Sequence, residues 1–482
     1  RYLNMTKPGE KLILSYSDTN AKGEGISPAY LIGSIRSLYP KLEIENSYCY
    51  PENPEAGIDL FLEKLVQETE KEHEDILEQA DETDAMFGEL YSWYLRNPEY
   101  RSRVQKLVQS AFAGKPEDII SQSVAKALYG EVSPYSATRL ERFAACAFAH
   151  FLQYGMKLTE RVEYEFKPMD MGNVMHEALE SFAEEVRKRG MKWTELTEQE
   201  RNEIADRCLD NIVADYGNTV LKSSARNEYM IERTRRILRR TVWALQKQLE
   251  QGEFQPEGFE VTFGGGRIDR VDIMEDQNKV YVKVIDYKTG NTSFDLVYLY
   301  HGLQLQLMIY LDGALRVEQK KYPDKEIIPA GVFYYNIKDP MIQEKIDADV
   351  EAVSAGLMKE LKMNGLVQAD PELVYRMDSS LGSIPVAFNK DGSFRKNSSV
   401  ADRTQFAVLG RYVRTKIEKI RSSILEGDAE VSPYELGKKN ACTYCPYMTV
   451  CGFDRRLSGY EFRRLKNFSD EELWKAFDRE AE

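Results

Sequence analysis

Two acidic residues and a lysine stand next to short apolar runs in one part of the sequence. Asp269 ends the sequence Gly-Arg-Ile-Asp, and Asp286 and Lys288 frame the sequence Asp-Tyr-Lys. A carboxylate at the end of an apolar run is unfavourable to bury unless it is paired or bound to a metal, and oxygen ligands suit Mg²⁺ or Mn²⁺. Such an ion polarises a phosphate and acidifies water, while a nearby lysine offsets developing negative charge. The pattern indicates phosphodiester hydrolysis, although Asp-x-Lys alone is more often a salt bridge.

Three further side chains have the spacing to complete such a site. His176, one of only four histidines, ends the sequence Gly-Asn-Val-Met-His on a predicted helix. Gln306 and Tyr310 are four residues apart on another predicted helix, so they share one face. Each of the three is unremarkable alone, because packed histidines and buried tyrosines are common.

The elements that would position these residues form a helix–strand pattern. Three short β-type runs, 258–263, 267–273 and 280–287, are predicted, and the turn at 275–278 joins the last two as a hairpin. Asp269 and Asp286 then lie on adjacent strands. Helices are predicted at 172–189, 199–251, 298–316 and 402–426, and a further strand at 328–335. This order predicts an α/β fold in which a small mixed sheet is flanked by helices.

The region before residue 134 has a different character. An apolar run at 11–16 predicts a buried strand, and charged residues from 55 to 128 predict helices at 58–82 and 84–95. Residues 131–136 suggest a linker, after which Ser136 is placed to cap a helix. We therefore predict three parts: a mainly helical region 1–133, a domain 134–465 and a helical tail 466–482.

Bulk properties restrict the class of protein. A chain of 482 residues is long enough for two or three domains, and its net charge of −14 does not by itself suggest nucleic-acid binding. The arginines between Arg233 and Arg240 could form a local basic stripe or an ordinary solvated helix face.

No apolar run of membrane-spanning length and no signal peptide is visible, so a cytoplasmic protein is expected. Gly114-Lys115 is followed by proline, which breaks the ATP-binding loop pattern. The chain begins with Arg, as a piece of a longer protein would.

Three cysteines cluster near the C-terminus, at Cys442, Cys445 and Cys451. A Cys-x-x-Cys loop lets two sulfurs reach one metal, and the fourth ligand is then best supplied by Cys146. Cys49 and Cys208 stand in unrelated surroundings. Four cysteines alone are compatible with zinc or with an iron–sulfur cluster.

Taken together, the motifs resemble those of RecB-family nucleases in the PD-(D/E)xK superfamily. That family's pattern is Gly-x-x-x-His, Gly-x-Ile-Asp, Asp-x-Lys and Gln-x-x-x-Tyr, and all four occur here in order. The resemblance implies a restriction-endonuclease-like mixed sheet and Mg²⁺ or Mn²⁺ as cofactor. The implied metal ligands are His176, Asp269, Asp286 and the backbone carbonyl of Tyr287. The implied catalytic residues are Asp269, Asp286, Lys288 as the catalytic lysine, Gln306 and Tyr310. Gln304 is an alternative to Gln306 but lacks a tyrosine four residues on, and Glu177 and Asp272 are expected to be bystanders.

The cysteines resemble the iron–sulfur staple of AddB-type nucleases. This resemblance implies a 4Fe-4S cluster held by Cys146, Cys442, Cys445 and Cys451, although Ala147 stands where the family usually has proline. It also implies that residues 1–133 correspond to the end of a degenerate helicase-like region. The sequence Thr6-Lys-Pro replaces that region's Thr-Arg-Ala-type motif, so ATP hydrolysis by this segment is not expected.

The family implies that the chain works on DNA together with an AddA-type motor subunit. The expected role is processing of double-strand DNA ends for recombinational repair, with cleavage of the strand that ends 5′. Two alternatives remain open at this point. One is a stand-alone RecB-like nuclease with a helical extension, and the other is a non-catalytic DNA-binding scaffold in which the cluster only holds structure.

Overall fold

The computed structural model describes most of the chain. The described residues are 7–17, 26–42, 57–58, 61–62, 65, 82–111, 119–130, 136–159, 168–215, 224–264, 266–342, 349–455 and 459–481. They belong to two compact units, 1–113 and 114–482. Among these residues no helix is both long enough and apolar enough to cross a membrane.

The regular elements described in the first unit are helices. Its helices are α1 (Tyr30–Leu38), α2 (Glu82–Arg96) and α3 (Pro98–Ala111). A small core of Ile58, Phe61, Leu65, Tyr94 and Val104 is buried between its elements. The buried aromatic and aliphatic side chains are what hold so small a unit together.

The strand predicted at 11–16 is wrong. These residues form no regular element, and Ile13 is 75 % exposed. No strand among the described residues pairs with them, and Leu12 and Leu14 are exposed as well. The Thr6 motif, much of the helix predicted at 58–82 and the linker at 131–135 lie outside the described residues.

The second unit begins with helices that lead into a sheet. They are α4 (Gln122–Tyr129), α5 (Ala137–Ala145), α6 (Ala147–His150), α7 (Pro168–Lys188), α8 (Glu198–Asp215) and α9 (Ala225–Glu250). Ser136 occupies the predicted N-cap position of α5. A π-helical turn, Phe151–Gly155, follows α6, and a short 3₁₀ helix, Trp193–Glu195, separates α7 from α8.

The sheet has six strands in sequence order. They are β1 (Gln255–Phe263), β2 (Gly266–Asp276), β3 (Lys279–Lys288), β4 (Glu326–Asn336), β5 (Asn364–Gln368) and β6 (Val400–Ala401). β1, β2 and β3 pair antiparallel, β3 and β4 pair parallel, β4 and β5 antiparallel, and β5 and β6 parallel. The sheet is therefore mixed, as predicted.

Helices cover both faces of the sheet. Those after β3 are α10 (Leu296–Tyr300), α11 (Gln306–Lys321), α12 (Val350–Glu360), α13 (Pro371–Met377), α14 (Arg403–Glu426), α15 (Met448–Cys451) and α16 (Asp470–Ala481). Along β3, Ile285 joins a core with α7, α8 and α9, while Val284 joins one with α5, α11 and α14. Alternation of side chains along a strand thus fills two cores. A small sheet of β7 (Tyr434–Leu436), β8 (Lys439–Asn440) and β9 (Arg463–Arg464) lies near the cysteines.

In the second unit most of the predicted elements and the α/β fold class are confirmed, with one difference. The helix predicted at 298–316 is interrupted, because Gly302 adopts a φ of 79° between α10 and α11.

The arginines of α9 are largely engaged in ion pairs: Arg235 and Arg239 bind Asp206, and Arg236 binds Asp339. This pairing favours the solvated-face interpretation over a basic stripe for these three. The domain limits at 133 and 465 stay predictions.

Candidate active site

Three carboxylates line up across three neighbouring strands. On β1 and β2, Phe259 pairs with Arg270 and Val261 with Ile268, so Glu260 lies opposite Asp269. On β2 and β3, Arg270 pairs with Ile285, so the next position places Asp269 opposite Asp286. Directly opposed residues on paired strands lie about 5 Å apart. The register of the three strands therefore places three negatively charged side chains in one row across β1, β2 and β3.

Asp269 is held by the adjacent strand and by α7. Its Oδ2 accepts a hydrogen bond from the backbone N–H of Tyr287 at 2.7 Å and lies 3.3 Å from Nδ1 of His176. His176 reaches this position because α7 approaches the end of β3 closely. A Cβ added to Gly172 would stand 3.3 Å from the Thr289 hydroxyl, so a larger residue there would press on the segment after Lys288.

Asp286 and Lys288 share one face of β3. Nζ of Lys288 lies 2.6 Å from Oδ2 of Asp286, which is almost completely buried. The Lys288 ammonium is thus a direct partner of this oxygen. Burial, reinforced by the charge of Asp269 and opposed by Lys288, nevertheless raises the pKa of Asp286 to about 7. One lysine therefore does not compensate the burial of two neighbouring carboxylates.

Gln306 and Tyr310 extend the site from α11. Lys288 Nζ donates to Oε1 of Gln306 at 2.7 Å, and Nε2 of Gln306 donates to the Tyr310 hydroxyl at 2.9 Å. Gln304 instead donates to the Ser293 carbonyl and accepts from the Asp295 N–H, away from Lys288. Tyr310 also lies beside Gly266, whose φ of 150° suits glycine alone among the residues. Of the two candidate glutamines, only Gln306 contacts the lysine.

Glu141, which the sequence analysis missed, anchors the start of α11. Its Oε1 accepts the Gln306 backbone N–H at 2.9 Å, and it feels the charges of Lys288 and Asp286. Burial raises its pKa to about 7, although the backbone hydrogen bonds and Lys288 act in the opposite direction. Glu141 lies on α5, five residues before Cys146. Nothing in its spacing in the sequence linked it to Gln306.

Glu260 was also missed. His176 Nδ1 is 3.9 Å from Glu260 Oε1, and Arg267 Nε is 2.5 Å from Glu260 Oε2. Burial, together with the charge of Asp269, raises the pKa of Glu260 to about 7. Burial alone would lower the pKa of His176, but its hydrogen bond with Asp269 and the surrounding carboxylates raise it.

The two expected bystanders do lie outside this row. Glu177 is exposed on α7. Asp272 is fully buried and contacts Arg270 at 2.5 Å and Lys283 at 2.9 Å, so its charge is already balanced. Neither residue is placed to serve the row of carboxylates.

The donor set fits a hard divalent cation. His176, Glu260 and Asp269 offer ligand atoms that all lie within 4.8 Å of one another, a spacing that one ion could bridge. Asp286, on the neighbouring strand, adds a third buried carboxylate, and the backbone of Tyr287 lies alongside. Clustered carboxylates with one histidine suit Mg²⁺ or Mn²⁺ better than softer metals. The arrangement can bind a cation and place a lysine ammonium next to it.

The four predicted cluster ligands line a single cavity. Cys146, at the end of α5, faces Cys442, Cys445 and Cys451 there, with Tyr447 closing one side. Burial, followed by the nearness of the other three thiols, raises the pKa of Cys442 to about 12. Cys208 instead is buried in the core between α7, α8 and α9. Cys49 lies outside the described residues.

Comparisons with known proteins agree with this geometry. Residues 134–452 match the PD-(D/E)XK nuclease superfamily. Relatives that are named as a subunit of an ATP-dependent helicase/deoxyribonuclease occur in Lachnoclostridium phytofermentans, at 40 % identity, Alkaliphilus metalliredigens, at 32 %, and Clostridium acetobutylicum, at 31 %. The matches cover 99 to 100 % of this chain but only 43 to 44 % of each relative, so the chain spans less than half their length. Because the match covers well over half of its residues, the chain belongs to the PD-(D/E)XK nuclease superfamily.

Proposed function

We propose that this chain is a divalent-metal-dependent deoxyribonuclease that acts as part of a helicase–nuclease assembly. The observation that carries the proposal is the row of Asp269 and Asp286 with Lys288 Nζ 2.6 Å from Asp286. A structural salt bridge would not need a second buried carboxylate beside it. The names of the relatives support DNA as the substrate.

His176, Asp269, Asp286 and the backbone carbonyl of Tyr287 would hold the metal. A bound Mg²⁺ or Mn²⁺ supplies positive charge that polarises a phosphate and acidifies water. Lys288, oriented by Gln306, supplies a fixed positive charge that offsets charge developing on the phosphate and helps position water. Tyr310 orients Gln306 through its hydroxyl. Glu141 fixes the start of α11 and so the position of Gln306.

The test is cleavage of linear single- and double-stranded DNA with Mg²⁺, comparing the unaltered chain with Lys288→Ala. The matched control is Lys279→Ala, at the other end of β3. We expect Lys288→Ala to reduce cleavage by roughly a hundredfold or more, and Lys279→Ala to leave it unchanged. Cleavage by Lys288→Ala at the unaltered rate would exclude this site. If none of the chains cuts, the assay is repeated with an added motor subunit, and continued inactivity would favour a scaffold role.

A 4Fe-4S cluster at the four cysteines is the second part of the proposal. The four cysteines line one cavity, and their order, one before the nuclease core and three after it, resembles the iron–sulfur staple of AddB-type nucleases. Four cysteine thiolates are the usual ligands of such a cluster. Its role would be to join α5 to the segment around Cys445, closing a loop nearly as long as the nuclease domain.

Iron and sulfide analysis tests the cluster. Cys146→Ser should lower the iron and acid-labile sulfide content and the visible absorbance, because it removes one of four ligands. Cys208→Ser, a cysteine buried elsewhere, should leave all three unchanged. Stoichiometric zinc without sulfide in the unaltered chain would contradict the cluster.

The proposed setting is end processing for recombinational repair with an AddA-type motor, where this chain cuts the strand that ends 5′. The word "subunit" in the relatives' names supports a partner. Linear DNA labelled on one strand end, incubated with the chain and a motor subunit, reports the polarity. Loss of label from the 3′-ended strand alone would contradict it. Full activity without any partner would favour a stand-alone nuclease.

A further inference from the structure

The ring of Tyr334 lies beside the proposed catalytic lysine, although no motif of the site includes it. Tyr334 on β4 pairs in register with Asp286 on β3, so the two side chains stand on the same face of the sheet. Lys288, two residues after Asp286, shares that face, and its Nζ lies over the Tyr334 ring at 5.3 Å from the ring centroid. Only 2 % of Tyr334 is exposed. The surrounding core therefore fixes the ring in its place next to the ammonium.

The Lys288 ammonium has two polar partners besides this ring. Its Nζ lies 2.6 Å from Asp286 Oδ2 and donates to Gln306 Oε1 at 2.7 Å. An ammonium has three N–H groups and no acceptor, so these two contacts leave one N–H for another group. The side chain of Lys288 is 28 % exposed, and its stem of four carbons is flexible. The direction of the remaining N–H thus depends on what else touches the ammonium.

We propose that Tyr334 is a positioning residue for Lys288, and that the face of its ring, rather than its hydroxyl, performs this role. The negative face of an aromatic ring attracts a cation that lies within about 6 Å of the ring centroid. This attraction restricts the ammonium on a side that Asp286 and Gln306 do not cover. The third N–H is then directed away from the core, where a phosphate of the substrate would approach. The inference rests on the proposed nuclease function and adds a residue to its site.

The charge state of Tyr334 agrees with a role for the ring face. Burial, followed by the nearby charges of Glu141 and Asp286, raises the pKa of Tyr334. The phenol therefore stays neutral, and the attraction for the ammonium is that of a ring and not that of a phenolate. Replacement of the hydroxyl alone, in Tyr334→Phe, should consequently leave the contact intact.

Ordinary packing of the core does not require an aromatic ring at this position. Tyr334 belongs to a core that is mostly aliphatic, where leucine would fill much of the same volume. Phe333, the preceding residue of β4, is also buried but belongs to the core on the opposite face of the sheet. Loss of its ring disturbs packing on the same strand without removing a contact of Lys288. Phe333→Leu is therefore the matched control for Tyr334→Leu.

The first measurement follows the position of Lys288 in the full chain without metal or DNA. Lysines labelled with carbon-13 at Cε are observed by NMR, and the signal of Lys288 is the one that Lys288→Arg removes. Aromatic rings shield the protons above their faces, so this signal should lie upfield of those of exposed lysines. It should keep that position in Tyr334→Phe and in Phe333→Leu. In Tyr334→Leu it should move downfield, to the position of the exposed lysines.

Cleavage kinetics give the second measurement, with Mg²⁺ and linear DNA. Tyr334→Leu should lower kcat by roughly tenfold with KM unchanged, because the contact orients a charge that acts on the transition state. Tyr334→Phe and Phe333→Leu should keep kcat. An equal loss in Tyr334→Phe would assign the effect to the hydroxyl, and an equal loss in Phe333→Leu would assign it to packing. Either result would overturn the inference.

The two measurements separate this inference from the nuclease proposal. If the chain cuts DNA and the Lys288 signal keeps its position in Tyr334→Leu, the nuclease proposal stands and the inference fails. If the chain does not cut DNA but the signal moves in Tyr334→Leu alone, Tyr334 positions Lys288 and the nuclease proposal fails.

Discussion

The β2–β3 hairpin carries two clusters of buried charge that differ in how the charge is balanced. At Asp272, Arg270 approaches one carboxylate oxygen at 2.5 Å and Lys283, directly opposite on β3, approaches the other at 2.9 Å. Burial acts to raise the pKa of Asp272, but these two cations outweigh it and the pKa is lowered. Its charge is therefore matched within the fold.

Asp269 and Asp286, three residues further along each strand of the hairpin, are not matched in this way. Lys288 approaches Asp286 at 2.6 Å, yet the pKa of Asp286 is raised to about 7. The same two strands thus bury Asp272 together with two cations, but they bury Asp269 and Asp286 with too few cations to balance both carboxylates. The difference shows which end of the hairpin is organised for stability and which is organised to receive a cation from solution.

The largest effect is expected from Asp286→Asn. Because the side chain is proposed to bind the metal, Mg²⁺-dependent DNA cleavage should fall by roughly a thousandfold. In the metal-free chain the free energy of unfolding should rise by roughly 1–3 kcal/mol at pH 8, because the variant removes a buried charge. Cleavage rates and denaturant unfolding measure the two. A loss of activity accompanied by a loss of stability would place Asp286 with Asp272 as a structural group.

Asp272→Asn should behave in the opposite way. It leaves Arg270 and Lys283 buried without their anion, and breaking a buried ion pair reduces the free energy of unfolding by about 3–5 kcal/mol. Denaturant unfolding at pH 7 measures the loss. Whatever fraction stays folded should bind Mn²⁺ like the unaltered chain, because Asp272 lies outside the proposed site. A variant of normal stability would show that the two cations find other partners.

Much of the site could be predicted from the sequence because most of its residues belong to short motifs with characteristic spacing. The pattern around His176, Asp269, Asp286 and Lys288 named residues that the structure brings together, and the four cysteines were predicted to share one pocket. Short-range signals suffice where spacing alone decides the face of a strand or helix, as for Gln306 and Tyr310.

What the sequence analysis missed depended on register and on backbone conformation. Phe263 pairs with Gly266 and Asp276 with Lys279, and these registers place Glu260 and Asp286 on either side of Asp269. Using the run of glycines after Phe263 as a turn signal between two paired strands would have found Glu260. The left-handed φ of Glu260 and the contact of Glu141 with α11 arise from tertiary packing, which no local pattern encodes.

Glu141 lies between the two extremes, since among the described residues it has backbone donors but no direct cation, and its effect should be the smallest. Burial raises its pKa from 4.5 to about 7, so the folded chain favours the neutral acid. The resulting stabilisation is complete below pH 4.5 and is lost as the pH rises through about 7. In metal-free protein, the unaltered chain should therefore lose about 1 kcal/mol per pH unit relative to Glu141→Gln across that interval. Denaturant unfolding at several pH values gives both curves.

The glutamine keeps an oxygen that can accept the Gln306 N–H, so cleavage by Glu141→Gln should fall less than tenfold. Parallel curves would mean that the pKa of Glu141 is the same in the folded and unfolded chain, which would confine the deficit of positive charge to the row formed by Glu260, Asp269 and Asp286.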